Sequence, residues 1–199
     1  MKAIFTHPSC LNLEPFPYCP GCGHGIVHRL VAEVIDDLGI RESLVGITSI
    51  GCTVRAWRHF DFDICQGSHG RSLAVATGLK RSLPDRVVFT YQGDGDVAAI
   101  GLAETLHAAA RGEAVTVLMV NNAVFGMTGG QLSPTTLLGQ RTATTPAGRD
   151  PAESGYPIKM AELVAGVLHR GYVARVACNN PGNVVRAKRA IRKAFLAQI

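Results

Sequence analysis

The feature that most restricts the fold is a pair of short apolar segments with a helical segment between them. Residues 87–91 and 115–120 are continuous runs of β-branched and other apolar side chains. Residues 98–110 between them have the composition and spacing of a helix. Uninterrupted apolar strands are typical of parallel sheets buried on both faces, and a helix is the usual crossover between parallel strands. The pattern therefore predicts a βαβ unit.

The other segments extend this unit into one α/β domain. Helical patterns occupy residues 25–38, 71–83, 159–168 and 183–198, the last capped by Asn180 or Asn183, and apolar runs at 44–50 and 172–178 predict two more strands. A chain of 199 residues can bury one substantial core. We expect an N-terminal arm over residues 1–17 that lies on a neighbour, and a single domain over 18–199. Its fold would be a mostly parallel sheet with helices on both faces.

The composition favours a protein with partner subunits. Only 18% of the residues are charged, although 47% are hydrophobic, and soluble domains usually reach about 25% charged residues. We find no apolar stretch of the roughly 20 residues that a membrane span needs, and no secretory signal. The net charge of +5 is modest and spread along the chain. We expect a cytoplasmic protein that binds neither nucleic acid nor a membrane.

Polar residues follow two of the predicted strands. Asp94 comes directly after the strand at 87–91, flanked by two glycines, and Asn122 follows the strand at 115–120. In parallel sheets, ligands bind at the carboxyl ends of the strands. Mg²⁺ prefers carboxylate and amide oxygens together with phosphate oxygens, and the glycines allow a phosphate to approach the backbone. Gly93-Asp94-Gly95 alone is an ordinary turn sequence, and so is Asn121-Asn122, but their pairing predicts a site for Mg²⁺ and a diphosphate.

Cysteines form a second pattern. Cys19 and Cys22 lie on a Gly/Pro-rich loop at a spacing that lets both sulfurs face one metal or cluster, and Cys52 ends a predicted strand at the same sheet edge. By itself the loop could be a zinc knuckle or a redox pair. Cys178 is the candidate fourth ligand because it also ends a predicted strand, with Cys10 and Cys65 as the alternatives. If Cys65 is not a ligand, it is expected to be a small buried side chain. His24, which follows the Cys19–Cys22 loop, is expected to order that loop by hydrogen bonding.

Together these residues resemble a known family. The combination of Gly93-Asp94-Gly95 with Asn121-Asn122 resembles the thiamine diphosphate fingerprint, and residues 124–131 (VFGMTGGQ) resemble the β subunits of 2-oxoacid:ferredoxin oxidoreductases. The resemblance implies the thiamine diphosphate-binding fold, with Asp94, Asn122 and the carbonyl of Val124 as Mg²⁺ ligands. The cofactor-binding residues that it implies are Ile50, Gly51, Cys52, Thr53, His69, Gly95, Asp96, Gly126 and Met127. It also implies a 4Fe-4S cluster on Cys19, Cys22 and Cys52, with Cys178 as the least certain ligand.

The resemblance implies oxidative decarboxylation of a 2-oxoacid to acyl-CoA and CO₂, with electrons passed through the cluster to ferredoxin. The motif favours 2-oxoglutarate or branched-chain 2-oxoacids. Activity would require an α subunit, which supplies the activating glutamate, and the complex could include γ and ferredoxin-like δ subunits; no catalytic residue is assigned in this chain, and Glu104 is expected to have a packing or surface role. The basic residues of the last helix are either a solvated face or a dock for ferredoxin. The alternatives are a non-oxidative thiamine diphosphate decarboxylase or acyloin synthase, and a zinc-stabilised assembly subunit.

The chain ends on its last predicted helix, where an alternating α/β order leads us to expect one more strand. Some related subunits carry their last cysteine in a Cys-Pro segment after such a strand. We therefore expect a short C-terminus that could leave the cluster incomplete.

Overall fold

A computed structural model of the chain describes residues 6–199. It contains six helices and six strands in the described range. The helices are α1 (His24–Leu38), α2 (Ser72–Ser82), α3 (Leu102–Ala110), α4 (Pro151–Ser154), α5 (Met160–Val167) and α6 (Pro181–Leu196). The strands are β1 (Leu44–Thr48), β2 (Asp63–Gln66), β3 (Val87–Gly93), β4 (Thr116–Val120), β5 (Val124–Phe125) and β6 (Gln131–Leu132). Short 3₁₀ turns cover Arg41–Ser43 and Cys52–Arg58, and a π turn at Asp96–Ile100 precedes α3.

The main sheet is parallel, with strand order β2-β1-β3-β4. Alternate residues of β3 pack on opposite faces, so that Phe89 joins the core formed with α1 and α6 while Val88 packs with Ala76 of α2. This explains why β3 is apolar throughout, because both of its faces are buried. The expected α/β class, a mostly parallel sheet with helices on both faces, is confirmed.

Helix ends follow from local chemistry. α1 stops at Gly39, whose φ of 64° is a left-handed conformation that closes helices and favours glycine. α6 begins at Asn180, whose side chain accepts a hydrogen bond from the Asn183 amide at 2.9 Å. Of the two predicted caps, Asn180 is therefore the one that acts.

Two strand expectations were wrong. Residues 172–178 form no strand: the segment pairs with no strand of the described sheet, and four of its seven residues are exposed. Conversely, β2 was missed, since it is an edge strand with charged and exposed residues such as Asp63 and lacks an apolar pattern. In both cases burial decided the outcome, and the local sequence does not encode burial reliably.

The expectation that the N-terminal arm lies on a neighbour was wrong for the segment around residue 10. Cys10 and Leu11 are buried in the core beside α1, and Leu11 forms a bridge with Phe60. The Asn12 amide donates to the His59 carbonyl at 2.7 Å. Residues 1–5 of the predicted arm lie outside the described residues. The arm is thus attached to its own domain over residues 8–12.

Part of the basic face of α6 is occupied within the chain. Lys188 lies 2.9 Å from Asp37 and 3.1 Å from Glu33 of α1. Burial lowers the Lys188 pKa, but the hydrogen bonds and charges of these two partners outweigh burial and raise that pKa above its ordinary value. Lys193 stands over the ring of Tyr172 at 4.5 Å. The remaining basic residues of this run are Arg186, Arg189 and Arg192. Among residues 6–199 no helix has the length and apolarity to cross a bilayer.

Candidate functional site

The carboxyl ends of all four main strands meet at one edge of the sheet. Thr48 of β1 is level with Gln66 of β2 and Tyr91 of β3, and Gly93 of β3 is level with Val120 of β4. The segments that leave these ends carry the predicted residues: Ile50, Gly51, Cys52 and Thr53; His69; Asp94, Gly95 and Asp96; and Asn122 and Val124. Residues far apart in the sequence therefore share the edge where parallel sheets bind ligands.

Asp94 is held by one of its two oxygens. Its side chain is buried, and Oδ2 accepts hydrogen bonds from the Ser133 hydroxyl at 2.5 Å and from the Thr135 hydroxyl. Within residues 6–199, no group donates a hydrogen bond to Oδ1. A carboxylate with one oxygen fixed and the other free is suited to a hard cation.

The segment around Asn122 has a special backbone. Ala123 has a φ of 62°, which is uncommon for a residue with a side chain. The amides of Ala123 and Val124 donate to the side-chain oxygens of Asn121 and Asn122 at 3.0 and 3.3 Å. These local bonds turn the chain sharply after β4 and carry it into β5, where Val124 lies.

Two glycines of the site lie close to neighbouring side chains. A Cβ on Gly95 would overlap the ring of Phe125, with Cδ1 at 2.5 Å. A Cβ on Gly126 would lie 3.4 Å from the Cys52 sulfur and 3.5 Å from the Asn122 side-chain nitrogen. Gly126 thus sits between the predicted metal ligand and the predicted cluster ligand.

Asp96 is a hub for four donors. Its Oδ1 accepts from the Ser49 hydroxyl at 2.8 Å, from the His69 Nδ1 at 2.5 Å and from the Gly70 amide at 2.6 Å. Its Oδ2 accepts from the Gln92 side chain. The carboxylate therefore ties the ends of β1, β2 and β3 together, and it fixes His69 so that Nε2 is the ring nitrogen left for a ligand.

The neighbouring Arg71 forms an ion pair with Glu104 of α3. This agrees with the packing role expected of Glu104. The ion pair uses one terminal nitrogen of Arg71, whose side chain is half exposed.

The predicted cluster ligands Cys19, Cys22 and Cys52 are close enough for their charges to interact. Burial raises the pKa of the Cys52 thiol, and the charges of Cys22, Cys19 and Asp94 raise it further, while a backbone hydrogen bond from Met127 lowers it. Cys178 is set apart: it packs beside the core formed with α1 and α6, and burial alone raises its pKa. Across residues 6–199 no group of three or more His, Cys, Asp or Glu side chains is close enough to hold a metal ion as it stands.

The two alternative cysteines occupy different environments. Cys10 is fully buried, and its thiol donates to the Ala32 carbonyl at 3.3 Å. Burial and the hydrogen bond with Asp36 raise the Cys10 pKa to about 12. Cys65 is exposed, contrary to the expectation of a buried side chain.

A buried layer of aromatic and imidazole rings supports the CxxC loop. His24 stacks on Tyr18 with ring centroids 4.9 Å apart, and the Tyr18 hydroxyl lies 3.0 Å from His28 Nδ1. Burial lowers the pKa of His24 to about 4 and that of His28 to about 3, and it raises that of Tyr18. These neutral rings fit the expectation that His24 orders the loop.

The remaining predicted residues differ in exposure. Ile50 and Met127 are exposed at the edge, while Thr53 is buried and its hydroxyl donates to the Ser49 carbonyl at 3.3 Å. Gly51 has a φ of 119°, which favours glycine where β1 turns into the Cys52–Arg58 segment.

Sequence reasoning missed Ser49, Gln92, Ser133 and Thr135, which contact the two aspartates of the site. Ser133 and Thr135 belong to a run of hydroxyl residues in the long loop after β4. That run is visible in the sequence, but it does not indicate which aspartate the two hydroxyls contact.

Comparison with known proteins agrees with this geometry. Residues 49–198 match the model of the C-terminal TPP-binding domain of thiamine pyrophosphate enzymes, thiamine pyrophosphate being thiamine diphosphate. The fold and the site therefore define a thiamine diphosphate-binding domain.

Individual relatives narrow the class. The ketoisovalerate oxidoreductase subunit VorA of Methanothermobacter thermautotrophicus is 51% identical over 91% of this chain and 38% of its own length. The 2-oxoglutarate synthase subunit KorB of Methanocaldococcus jannaschii is 38% identical over 93% of this chain and 67% of its own.

A solved structure matches as well. The 2-oxoglutarate:ferredoxin oxidoreductase from Magnetococcus marinus, with 2-oxoglutarate, coenzyme A and succinyl-CoA bound, superposes with a TM-score of 0.83 at 28% identity, covering 97% of this chain and 64% of that one. The chain belongs to the family of 2-oxoacid:ferredoxin oxidoreductase β subunits, as the motifs implied. It spans little more than a third of the length of the VorA relative.

Proposed function

We propose that this chain binds thiamine diphosphate and Mg²⁺ in a complex that oxidatively decarboxylates a 2-oxoacid to acyl-CoA and CO₂ and reduces ferredoxin. The observation that carries the proposal is the alignment of Gly93 with Val120, which brings Asp94 and Asn122 out of the sheet side by side. The family membership supports the same activity.

The residues present fit Mg²⁺. Asp94 offers its unbonded oxygen, and the turn after β4 offers the side chain of Asn122 and the carbonyl of Val124. Mg²⁺ accepts such oxygens together with phosphate oxygens and water. Asp94 would supply the single negative charge of the protein's ligand set.

The surrounding groups fit a diphosphate. Gly95 leaves room for the ring of Phe125, and the backbone continues from Gly95 into the Asp96–Ile100 turn at the same sheet edge. The carboxylate of Asp96 is already used by four protein donors, so its part is to hold His69 in place. His69 then presents Nε2 to the anion. Gly51, Thr53, Gly126 and Met127 complete the same edge in this proposal.

When bound, thiamine diphosphate supplies the chemistry that releases CO₂ from the 2-oxoacid. This chain holds the cofactor, and we propose that the activating glutamate comes from an α subunit. Coenzyme A, ferredoxin, and γ and δ subunits are further proposed partners. The apolar residues exposed at the site edge, Ile50 and Met127, are suited to contact with the proposed α subunit.

A 4Fe-4S cluster on Cys19, Cys22 and Cys52 remains a proposal, with Cys178 as the proposed fourth ligand. The thiols share a neighbourhood but are not gathered into a binding set, so the CxxC loop would have to close on Cys52.

Among 2-oxoacids we propose the branched-chain class. The relative at 51% identity is named for ketoisovalerate, and the one at 38% for 2-oxoglutarate. Ferredoxin reduction by the whole complex should therefore be faster with 2-oxoisovalerate than with 2-oxoglutarate, and the reverse order would reject this assignment.

The decisive experiment is purification of the complex without oxygen, followed by assay of thiamine diphosphate, iron, acid-labile sulfide and zinc. Thiamine diphosphate with iron and sulfide supports the proposal. Thiamine diphosphate without iron would favour a non-oxidative enzyme, and zinc without thiamine diphosphate would favour an assembly subunit.

A further inference from the structure

The long loop after β4 contains a buried polar turn that contacts both halves of the proposed metal site. This turn comprises residues 133–136, and Ser133, Thr135 and Thr136 are all nearly or fully buried. Buried hydroxyls are costly unless they are hydrogen-bonded, so their partners indicate what the turn is for.

The first half of the contact is with Asp94. Ser133 and Thr135 both donate to Asp94 Oδ2, and their hydroxyl oxygens lie 2.7 Å from each other. The Ser133 hydroxyl in turn accepts from the Thr135 amide at 3.1 Å. The two donors therefore fix the rotation of the carboxylate and select which oxygen stays free.

The second half of the contact is with the segment after β4. The Thr136 hydroxyl accepts from the Ser133 amide at 2.8 Å and donates to the Ala123 carbonyl at 2.6 Å. Ala123 lies between the proposed ligands Asn122 and Val124 and has the uncommon positive φ. One hydroxyl thus connects the turn to the strained peptide that aims both ligands.

The turn is itself anchored by a buried cation. Arg149 donates to the carbonyls of Ser133, Pro134 and Thr136 at 3.3, 3.1 and 2.7 Å. Its other nitrogens donate to Ser154 and Gly155, each at 2.9 Å. A guanidinium only 5% exposed and bonded to five carbonyls holds the loop in one shape.

We propose that the 133–136 turn is the positioning element of the metal site: it orients Asp94 and the Asn122–Val124 segment so that their oxygens converge on one Mg²⁺. This inference rests on the proposed Mg²⁺ site and adds residues that act through its ligands. Groups that orient metal ligands typically contribute about 10- to 100-fold to metal affinity.

The test uses the complete complex, stripped of cofactor, and Mg²⁺ as the titrant at saturating thiamine diphosphate. Cofactor binding is measured by calorimetry in the variants Ser133→Ala, Thr135→Val and Thr136→Val. We expect each to raise the Mg²⁺ concentration for half-maximal binding by about tenfold or more, with unchanged binding at saturating Mg²⁺. Thr135→Ser keeps the hydroxyl and should restore the original requirement.

The matched control is Thr145→Val in the same loop. The Thr145 hydroxyl lies 2.7 Å from that of Thr142 and contacts neither aspartate, so its removal should leave the Mg²⁺ requirement unchanged. A role in loop stability alone would lower the unfolding temperature without moving the Mg²⁺ requirement, and that result would overturn the inference. Each variant removes a single hydroxyl, so that the protein stays folded and the change in its Mg²⁺ requirement can be measured.

Asp94→Ala separates this inference from the proposed function. If Asp94→Ala abolishes Mg²⁺-dependent binding while the three hydroxyl variants stay within about twofold of the original requirement, the positioning role is wrong and the metal site stands. If Asp94→Ala has no effect, the proposed Mg²⁺ site is itself wrong, and the inference that depends on it is rejected with it.

Discussion

Gly95→Ala is expected to weaken thiamine diphosphate binding because the new methyl group would collide with the ring of Phe125. The backbone of Gly95 has φ −64° and ψ −27°, which alanine adopts without strain. The new methyl group, however, would lie 2.5 Å from Cδ1 and 2.9 Å from Cζ of Phe125. Carbon atoms prefer about 3.5 to 4.0 Å, so the ring must move by about 1 Å.

The loss of cofactor affinity depends on which residues the displaced Phe125 ring moves. Phe125 lies in β5 between Val124 and Gly126, so shifting its ring displaces the segment proposed to hold Mg²⁺ and the diphosphate. Overpacking of this kind typically costs about 1 to 3 kcal/mol, and the part of this cost that falls only on the bound state lowers the affinity. Since about 1.4 kcal/mol corresponds to a tenfold change, the dissociation constant of thiamine diphosphate should rise by up to about 150-fold, with the remainder of the cost appearing as a lower free energy of unfolding.

Gly78→Ala provides the control. A Cβ there meets nothing within 4 Å, and Gly78 lies inside α2, outside the proposed binding residues. Calorimetric titration of the cofactor-free complex should show near-normal binding for Gly78→Ala and weak binding for Gly95→Ala. The double variant Gly95→Ala/Phe125→Ala should regain affinity because the ring is gone. Equal affinities for the two single variants, or no regain in the double variant, would refute the steric argument.

Three further outcomes are expected. Cys52→Ala should lose iron while the exposed Cys65→Ala keeps it, and equal iron in both would contradict the cluster proposal. Phe195→Ala, which truncates a fully buried ring, should lower the free energy of unfolding in urea by about 3 to 5 kcal/mol; Leu196→Ala, at a side chain 44% exposed, should change it far less, and similar losses would be inconsistent with the described core. Burial lowers the His28 pKa to about 3 from 6.5, so the unfolded chain binds the extra proton and stability should fall as pH drops below about 6.5, by up to about 1.4 kcal/mol per unit. The pH dependence of the urea midpoint should be shallower in His28→Phe, and an unchanged dependence would count against a neutral His28.

The sequence was sufficient to predict an element where its apolar pattern matches the burial of its side chains in the fold. The strand around Val88 is apolar because both faces of this central strand are covered, so it could be predicted from its continuous apolar run. The strand around Leu118 was predicted from the same kind of run, although it lies at the edge of the described sheet and is only partly buried. The boundaries at Gly39 and Asn180 follow from conformational and capping preferences that belong to single residues. The pairing of Asp94 with Asn122 was predictable because parallel strands with a helical crossover present their carboxyl ends at the same edge.

The sequence was less informative for segments whose secondary structure and packing depend on which distant parts of the protein bury them. Residues 172–178 have a strand-like composition but stay exposed and unpaired, whereas β2 pairs with β1 in spite of Asp63. The arm around Cys10 packs on its own domain, although nothing in its sequence distinguishes this domain from a neighbouring subunit as the covering surface.

The sequence by itself determined the fold class, the family and the two motifs proposed to hold Mg²⁺, because each depends on residues close together in the chain or on a spacing that parallel strands preserve. Only the tertiary structure decided which side chains support those motifs. Ser133 meets Asp94, and His69 meets Asp96, across separations that no local pattern records. Their contacts depend on how the loop after β4 folds back over the sheet edge, and Arg149 stabilises that loop through carbonyl groups that every residue possesses.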